Sequence, residues 1–305
     1  MFNKLSLFIE IANCGSISQA AENLFLSQST ASTQLQSLEK ELQVKLFDRV
    51  NRNIILNENG KVFLEFAQRA MTSYLKTMQI INEDQHLSRF TLSFCAGIYF
   101  NIYFLPNILS KFTKQFGNIN IQIATPPTDE IISNIQNKKC DFGIINTSKD
   151  LDNSGFVIDF VYEHPLFFIC SPNNPLSKEK TISKKELNNQ TFIFNKKTSH
   201  YRNYVSTYLV NMDIEPKMKI TIETMEATKK AVINNLGVSI LPSYMVKKEL
   251  EHNELVQIIV KDSVPITRSI CCIHNIKRKP SQISIEFIRI CREYFQKLEN
   301  SSNES

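Results

Sequence analysis

The chain of 305 residues contains no tryptophan and only seven glycines, and several common functional motifs are missing from it. It has neither a Walker phosphate-binding loop nor a glycine-rich dinucleotide fingerprint, and it has no C-x-x-C or H-E-x-x-H pair. The longest apolar run, residues 166–170, is far shorter than the roughly 18 residues of a membrane-spanning helix. These absences argue against an enzyme and against an integral membrane protein.

Cysteine is present, but its pattern does not indicate disulfides. The seven cysteines are an odd number scattered from Cys14 to Cys291, which fits reduced thiols better than a disulfide framework. Near the N-terminus, Glu10 and Asn13 stand where a signal peptide would need its apolar stretch and cleavage site. We therefore expect the chain to stay in the cytoplasm.

The overall composition is that of a folded globular protein, and its positive charge is unevenly placed. Hydrophobic residues make up 42% of the chain and charged residues 21%, and the length suggests about two domains. The net charge is +5, yet the segment 1–60 holds five Lys and Arg against six Asp and Glu. Nucleic-acid binding by this segment must therefore rest on pattern rather than on bulk charge.

The segment 1–24 predicts two short helices separated at Gly15. An apolar stripe with helical spacing predicts the first helix, and its members are Leu5, Phe8, Ile9 and Ala12. Ser16 followed by Gln19 is typical of a capping box that opens the second helix. The buried face of that helix is predicted to be Ala20, Ala21 and Leu24.

A third helix, capped by Ser27, is predicted to carry a short, polar and uncharged face. Its apolar stripe comprises Ala31, Leu35, Leu38 and Leu42. The polar face comprises Gln28, Ser29, Thr30, Thr33, Gln34 and Ser37. A tight turn followed by a helix that presents hydroxyls and amides is typical of a helix-turn-helix, which places its recognition helix in the major groove of DNA. The alternative is an ordinary solvated helix face.

A hairpin and a long helix are predicted next. Residues 49–53 form a turn between strand-like residues, which predicts a small β-wing. Asn57 is predicted to cap a helix over residues 58–84, and its apolar seam is Phe63, Phe66, Ala70, Tyr74, Met78 and Ile81. A seam of this length indicates helix-to-helix dimerisation.

From Arg89 onward, strand and helix patterns alternate. Strands are predicted at residues 91–95, 119–124, 142–146, 166–170, 192–194, 217–222, 238–241, 256–260 and 270–274. Helices are predicted at residues 102–116, 129–138, 200–211, 225–234, 243–251 and 283–298. This alternation indicates parallel strands with helices on the faces of the sheet, which is an α/β fold.

A frame of residues runs through the first 70 positions and identifies a family. Its members are Phe8, Gly15-Ser16, Ala20-Ala21, Leu24, Ser27-Gln28, Leu38-Glu39, Leu46-Phe47, Arg49 and Gly60. With this frame the segment resembles the LysR-type transcriptional regulators. Short motifs of that family's effector domain are also matched, less specifically, by Leu105-Pro106, residues 140–144 and residues 236–242.

The resemblance implies a fold class and domain bounds. We expect an α-helical winged helix-turn-helix domain at residues 1–57 and a long linker and dimerisation helix at 58–86. An α/β effector domain of two periplasmic-binding-protein-like subdomains follows at 87–305. Subdomain I takes residues 87–162 and 268–305, subdomain II takes 163–267, and the crossings lie near 161–165 and 264–268. A small-molecule effector would bind between the subdomains.

The resemblance also implies partners. From the resemblance we expect a regulator that binds double-stranded promoter DNA as a homodimer or homotetramer and switches transcription in response to an effector. RNA polymerase is a candidate partner, no cofactor is expected, and no membrane is involved.

For DNA recognition, the resemblance supplies residue roles. Base-edge contacts are implied for Gln28, Ser29, Thr30 and Thr33, with Gln34 and Ser37 on the same face, and Arg52 is expected to reach from the wing into the minor groove. Lys45 or Arg49, hydroxyls and backbone amides would contact phosphates, although Arg49 could instead pair with a carboxylate.

Three positions depart from the family pattern. The usual glycine is Gln43, the usual threonine before the linker helix is Asn57, and a frequent recognition-helix arginine is Thr33. Asn caps a helix as well as Thr does. Without that arginine a bidentate guanine contact is lost, so the base preference of relatives does not transfer.

For the effector, the resemblance points to Tyr99 in the loop after the first strand, Thr128 near a helix start, and Thr198, Ser199 and Arg202 in subdomain II. Helix N-termini, hydroxyls and an arginine suit a carboxylate or another anion. The alternative for each residue is ordinary capping or surface exposure.

Two rival functions are a solute-binding protein and a redox sensor. The helix-turn-helix pattern argues against the first. A redox relative of this family carries its reactive thiol in the stretch that matches residues 195–212, which holds no cysteine here. Cys271 and Cys272 should point to opposite faces of a strand, and buried inert thiols are favoured. The five histidines, at positions 86, 164, 200, 252 and 274, are expected at the surface or at hinges.

Overall fold

A computed structural model describes residues 2–50, 53–81, 91–117, 119–147 and 155–303. The chain divides into two compact units. The first unit comprises Met1–Ile145, Asn153–Phe160 and Cys271–Ser305, and the second comprises Asn146–Asp152 and Val161–Ile270. Arg52, His86 and residues 82–84 of the predicted linker helix lie outside the described residues.

The N-terminal part of the first unit contains the predicted helices and wing. The helices are α1 (Phe2–Cys14), α2 (Ile17–Asn23), α3 (Gln28–Leu42) and α4 (Glu58–Ile81). Strands β1 (Phe47–Val50) and β2 (Asn53–Leu56) form an antiparallel hairpin. The Ser16 hydroxyl accepts the Gln19 N–H at 3.3 Å, while the Gln19 amide donates to Asn23 at 3.1 Å. The side chain of Gln19 is thus used within α2 rather than in the reciprocal half of a capping box.

These N-terminal elements share one small aromatic core. Phe8 is fully buried, and its ring centroid lies 5.3 Å from that of Phe47 and 5.0 Å from that of Phe63. Helix α1, the wing and α4 are thereby packed together. The predicted apolar stripe of α3 was wrong at its end, because Leu42 is 36% exposed while Glu39 is 8% exposed. Glu39 is buried because its carboxylate accepts a hydrogen bond from the backbone N–H of Leu46 at 2.9 Å.

The α/β region follows, with elements in both units. Its strands are β3 (Thr91–Ala96), β4 (Asn120–Ala124), β5 (Phe142–Thr147), β6 (Phe156–Cys170), β7 (Thr191–Phe194), β8 (Met218–Thr221), β9 (Ser239–Pro242), β10 (Val256–Ile258) and β11 (Thr267–Asn275). Its helices are α5 (Ile98–Tyr103), α6 (Leu105–Phe116), α7 (Thr128–Gln136), α8 (Lys184–Asn188), α9 (His200–Asn211), α10 (Met225–Ile233), α11 (Ser243–Glu251) and α12 (Gln282–Asn303).

In the first unit, β3 pairs in parallel with β4 and with β5. The sheet packs on helices through a phenylalanine cluster. The rings of Phe94 and Phe142 stack with centroids 4.7 Å apart, and Phe287 of α12 lies 4.9 Å from Phe94 and 5.2 Å from Phe112 of α6. All four side chains are buried, so this cluster forms the core beneath the sheet.

In the second unit, β6 pairs antiparallel with β9 and β10, and β7 pairs in parallel with β8. A 3-10 helix, Pro175–Lys178, precedes α8. Strands β6 and β11 each run from one unit into the other, because the unit boundaries fall after Phe160 and Ile270. Among the described residues, no helix is long and apolar enough to cross a membrane.

Three predicted elements need correction. The helix predicted at 102–116 is two helices, with Pro106 in the first turn of α6, where its missing N–H costs nothing. The strand predicted at 166–170 is only the end of the 15-residue strand β6, which begins at Phe156 and includes residues 161–165. Helix α8 was missed, although Ser183 and Glu186 form a complete capping box.

Candidate functional site

The N-terminal end of α3 is organised by the hydroxyl of Ser27. This oxygen accepts the backbone N–H of Thr30 at 3.1 Å, and it lies 2.9 Å from the Ser29 hydroxyl and 2.7 Å from the Thr30 hydroxyl. Three hydroxyl groups therefore converge on one exposed helix end. An end of this kind offers donors and acceptors together with the positive end of the helix dipole, which suits contact with phosphates and base edges.

The predicted polar face of α3 divides into an exposed part and a half-buried part. Gln28, Ser29, Thr30 and Thr33 are exposed, whereas Gln34 and Ser37 are half-buried. Within the described part of the chain, the Gln34 Oε1 atom is enclosed and has no hydrogen-bond partner.

Ser37, the sixth predicted DNA contact, is tied to an ion pair. Its hydroxyl accepts a hydrogen bond from the Lys4 ammonium at 3.0 Å and lies 3.4 Å from the Glu41 carboxylate, which also pairs with Lys4. The Lys4 hydrogen bond holds the pKa of the Glu41 carboxyl below its ordinary value. Ser37 therefore links α1 to α3 within the fold.

The base of the wing is fastened by Glu39. The Lys45 ammonium lies 2.6 Å from this buried carboxylate, although most of the Lys45 side chain is exposed. Lys45, a predicted phosphate contact, is thus partly neutralised within the fold. Arg52 and the side chain of Arg49 lie outside the described part of the wing.

Asn57 joins the wing to α4. Its side-chain oxygen accepts the Gly60 N–H at 2.9 Å, and its amide donates to the carbonyl of Lys45 at 3.1 Å. The cap predicted at Asn57 is therefore formed. The second bond could not be read from the sequence, because it spans twelve residues.

Two predicted effector residues, Tyr99 and Thr128, lie in the first unit. Tyr99 is half-buried within α5 rather than in a loop. The loop prediction was wrong because α5 begins directly after Gly97, one residue beyond β3. Thr128 is the first residue of α7 and is half-buried, while Pro127 occupies the cap position without a side-chain bond.

The other three, Thr198, Ser199 and Arg202, lie in the second unit at the start of α9. Thr198 is exposed, and Ser199 occupies the cap position of α9 but accepts the Asn195 amide at 2.9 Å instead of a helix N–H.

Arg202 is held in a defined position. Its guanidinium carbon lies 3.6 Å from the centroid of the Phe194 ring, its Nε donates to Ser206 at 3.2 Å, and one Nη donates to the Asn195 carbonyl at 3.3 Å. Burial lowers the pKa of Arg202 from its ordinary value. The guanidinium has five N–H donors, so these two bonds leave donors for an anion.

A buried cluster in the second unit was missed by the sequence analysis. Arg268 is 7% exposed, donates to the Asn146 carbonyl at 3.0 Å and lies 5.6 Å and 5.5 Å from the ring centroids of Tyr201 and Tyr204. His164 is 1% exposed, and burial together with the nearby charge of Arg268 lowers its pKa to about 3. No sequence signal marks this cluster, because its members are distant in the chain.

Of the histidines expected at the surface or at hinges, two are buried. His164 and His274 are each 1% exposed. His274 Nδ1 lies 2.7 Å from the Asp159 carboxylate, so this ring is placed by a hydrogen-bond partner 115 residues away in sequence.

The thiols have the properties of core residues. Cys14 is half-buried and the other six cysteines are buried. Burial raises the pKa of Cys170 and Cys271 to about 11 and that of Cys140 to about 12, and it raises those of Cys272 and Cys291 well above the ordinary value. Because the thiolate is the reactive form, these groups are poorly suited to peroxide sensing.

Comparison with known proteins covers both halves of the chain. Residues 2–61 match the family model described as bacterial regulatory helix-turn-helix protein, lysR family, and residues 85–296 match the LysR substrate binding domain. A probable RuBisCO transcriptional regulator of Synechocystis sp. is 32% identical over 94% of this chain and 84% of its own length. The HTH-type transcriptional activator CmpR of the same organism is 33% identical over 81% of this chain and 80% of its own length.

Solved structures share the fold at lower identity. A mutant OxyR of Corynebacterium glutamicum, solved with hydrogen peroxide bound, aligns with a TM-score of 0.57 and 18% identity over 97% of this chain and 93% of its own. HinK, a LysR family regulator of Pseudomonas aeruginosa, aligns with a TM-score of 0.56 and 16% identity over 98% of this chain and 99% of its own.

Proposed function

Because the chain belongs to the LysR family of transcriptional regulators, we propose that the exposed face of α3 reads the bases of its promoter DNA. Members of this family are DNA-binding regulators with an effector-binding domain, so the chain is a transcriptional regulator and not an enzyme. Its partners are promoter DNA and a small-molecule effector.

The observation that carries the base-reading proposal is the exposed hydroxyl and amide set at the start of α3. Gln28, Ser29, Thr30 and Thr33 are exposed on the helix that follows the helix-turn-helix turn. Gln34 completes the face, Ser37 supports it through Lys4, and Arg52 is proposed for the minor groove. Side chains of this kind hydrogen-bond base edges, with roughly 1 to 3 kcal/mol of discrimination for each good contact.

Selection from a random duplex library by the full-length protein tests this proposal. Thr33→Ala and Gln34→Ala should change which bases are selected, because they remove hydroxyl and amide contacts to base edges. Gln36→Ala is the matched control, since Gln36 is exposed on the same helix but is not in the proposed set. Equal loss of affinity for selected and random duplexes would contradict base reading.

We also propose that α4 mediates dimerisation within the linker at residues 58–86. Val62 is 75% exposed and Phe66 is 58% exposed on this helix, so a self-complementary apolar surface is available. The double variant Val62→Glu with Phe66→Glu should sediment as a monomer, while Lys61→Glu, at an exposed polar position away from that face of α4, should not change the mass. An unchanged dimer of the double variant would show that the seam lies elsewhere.

For the effector, we propose an anion that is contacted by Arg202 and Ser199, with Thr198, Tyr99 and Thr128 contributing. The support is the guanidinium that Phe194 and Asn195 hold in place with donors to spare. A thermal-shift screen of carboxylate and phosphate metabolites on the full-length protein should find a ligand that raises the melting temperature.

Arg202 then provides the test of that ligand's chemistry. Arg202→Ala should raise its dissociation constant about tenfold or more, since a charge-assisted bond is lost, and Arg202→Lys should retain part of the affinity. Unchanged calorimetric affinity of Arg202→Ala would place this residue outside the effector site.

The remaining proposals follow from the family. We propose a winged helix-turn-helix domain at residues 1–57 and an effector domain at 87–305, with subdomain I at 87–162 and 268–305 and subdomain II at 163–267. We further propose a homodimer or homotetramer that works in the cytoplasm and contacts RNA polymerase. Cross-linking of the protein on promoter DNA, with and without polymerase, tests the assembly.

A further inference from the structure

A basic surface of the first unit is built from two segments far apart in sequence. Lys138 and Lys139 follow α7, and Lys277, Arg278 and Lys279 follow β11. All five side chains are exposed. We refer to these five residues as the basic corner.

Hydrogen bonds hold the two segments of the basic corner together. The Asn275 amide donates to the carbonyls of Ile135 at 3.1 Å and Gln136 at 3.3 Å, and the Arg278 guanidinium donates to the carbonyl of Lys138. Asn275 is buried, so this junction is part of the fold rather than a chance approach of two loops. The positive charges of both segments are therefore fixed in one place.

The basic corner is only partly neutralised. Arg278 pairs with Asp141 at 3.2 Å, and the same carboxylate accepts the Ser281 N–H at 3.2 Å and the Ser284 hydroxyl at 2.9 Å. Within the described residues, no ion pair involves Lys138, Lys139, Lys277 or Lys279. Four ammonium groups thus remain available to an anionic partner.

Residues beside the basic corner contact the helix-turn-helix. Pro280 lines a small cavity together with Asn23, the last residue of α2, and Leu24, the C-cap of that helix. Gln282 donates to the Ser6 hydroxyl of α1 at 3.2 Å.

Two further contacts tie strand β11 and helix α12 to the N-terminal helices. The His274 ring lies 5.5 Å from that of Phe25, in the turn between α2 and α3, and Arg292 lies 3.4 Å from the Glu10 carboxylate. In the first unit, the basic corner therefore lies beside α1, α2 and the turn that leads into α3, the helix proposed to read DNA.

The helix-turn-helix segment carries no net positive charge. The segment 1–60 carries a formal charge of −1, with five basic and six acidic side chains. Lys4 pairs with Glu41, and Lys45 pairs with Glu39. Because neutralisation of phosphates supplies most of the sequence-independent affinity for DNA, positive charge outside this segment would add to that affinity.

We propose that the basic corner binds the phosphate backbone of the same duplex that α3 reads. This inference rests on the proposed function, since it requires that α3 engages DNA. The corner contributes affinity and salt dependence, whereas α3 contributes base preference, because ammonium groups contact phosphates without reading sequence. The partner is duplex DNA flanking the bases that α3 reads.

The salt dependence of binding tests the proposal. The probe is a duplex selected by the wild-type full-length protein from a random library, with a scrambled duplex of the same length beside it. For Lys277→Gln with Lys279→Gln, the slope of log affinity against log salt should fall by about 1.8, at about 0.9 for each lost phosphate contact. Affinity for the scrambled duplex should fall by the same factor as affinity for the selected one.

Two matched variants separate this effect from a general loss of charge. Lys247→Gln with Lys248→Gln removes two exposed lysines of α11 in the second unit and should leave the slope unchanged. Lys277→Arg with Lys279→Arg keeps both charges and should retain the wild-type slope. We call the variant Lys277→Gln with Lys279→Gln the Gln pair. In a hydroxyl-radical footprint of DNA bound by the Gln pair, protection should be lost only at positions flanking the recognised bases.

The outcomes distinguish the two claims. If the Gln pair keeps the wild-type slope and footprint while Thr33→Ala changes base preference, the basic corner does not touch DNA and the base-reading proposal survives. That result would also be expected if the corner bound an acidic protein instead. If Thr33→Ala and Gln34→Ala leave base preference unchanged while the Gln pair lowers the slope, phosphate binding stands and base reading by α3 fails.

Discussion

Replacing Gln43 with glycine should stabilise the N-terminal region. Gln43 follows α3 with φ of 59° and ψ of 21°, which is the left-handed region. The N–H of Gln43 bonds to the carbonyl of Lys40 at 3.3 Å, and that of Val44 bonds to the carbonyl of Glu39 at 3.2 Å. This is the Schellman arrangement, in which the left-handed position is usually glycine.

The magnitude follows from two opposing terms. A residue with a Cβ destabilises the folded state by roughly 1 to 2 kcal/mol in the left-handed region, and glycine removes this cost. Glycine also destabilises by about 0.5 to 1 kcal/mol, because the unfolded chain gains conformational freedom. The Gln43 side chain is exposed, so little packing is lost. Gln43→Gly should therefore stabilise the helix-turn-helix and wing by about 0.5 to 1 kcal/mol.

Hydrogen exchange of the full-length protein measures this change locally. Amides of α3 that exchange through unfolding of the N-terminal region should exchange about two- to fivefold more slowly in Gln43→Gly. Gln36→Gly makes the same chemical change at an exposed position inside α3, where glycine should destabilise by roughly 0.5 kcal/mol.

A third variant isolates the backbone term. Gln43→Ala keeps the Cβ and should leave exchange nearly unchanged. Faster exchange in Gln43→Gly, or equal effects of Gln43→Gly and Gln36→Gly, would refute the reasoning.

Three further predictions concern single contacts. Asn57→Ala should destabilise the N-terminal region by about 1 kcal/mol, because the Gly60 N–H loses the side-chain oxygen that caps α4. Asn57→Thr should restore most of the lost stability in the same exchange experiment. Unchanged stability of the alanine variant would rule out the cap. Gly60→Ala should destabilise more than Asn57→Ala, since a Cβ there would lie 2.0 Å from the carbonyl oxygen of Leu46, and wild-type exchange rates would contradict this close approach. The pKa of His164 is lowered to about 3, so protonation favours the unfolded chain, and the second unit should lose up to about 1.4 kcal/mol per pH unit as pH falls from 6.5 towards 3. His164→Phe should flatten that dependence, and an unchanged pH profile by urea denaturation would count against the buried neutral ring.

Elements whose signals are local could be predicted from the sequence. Helices α9 and α11 begin and end at the predicted residues, and α3 begins at its predicted cap, because caps and apolar periodicity involve neighbours within a few positions. The exposed face of α3 followed from the same periodicity. Thr128, predicted near a helix start, is the first residue of α7. Tyr99 was placed less well, since the sequence did not show that α5 begins directly after β3.

Features that depend on distant partners were beyond local reasoning. Residues 156–165 were not predicted as strand, although Phe156, Val157 and Ile158 are strand-forming types. They belong to β6, where neighbouring strands supply partners for backbone groups. His164 and His274 were expected at the surface or at hinges, but both are buried, with Arg268 near the first and Asp159 bonded to the second.

The sequence by itself determined the family, the order of helices and strands, and the polar recognition face, because each of these is written in spacings of a few residues. It also showed that the excess of positive over negative charge lies outside the segment 1–60. Only the tertiary structure decided where that charge gathers, since Arg278 meets Lys138 across 140 residues of chain and Gln282 meets Ser6 across 276. Contacts over such separations depend on how the whole chain packs, and no local pattern encodes them.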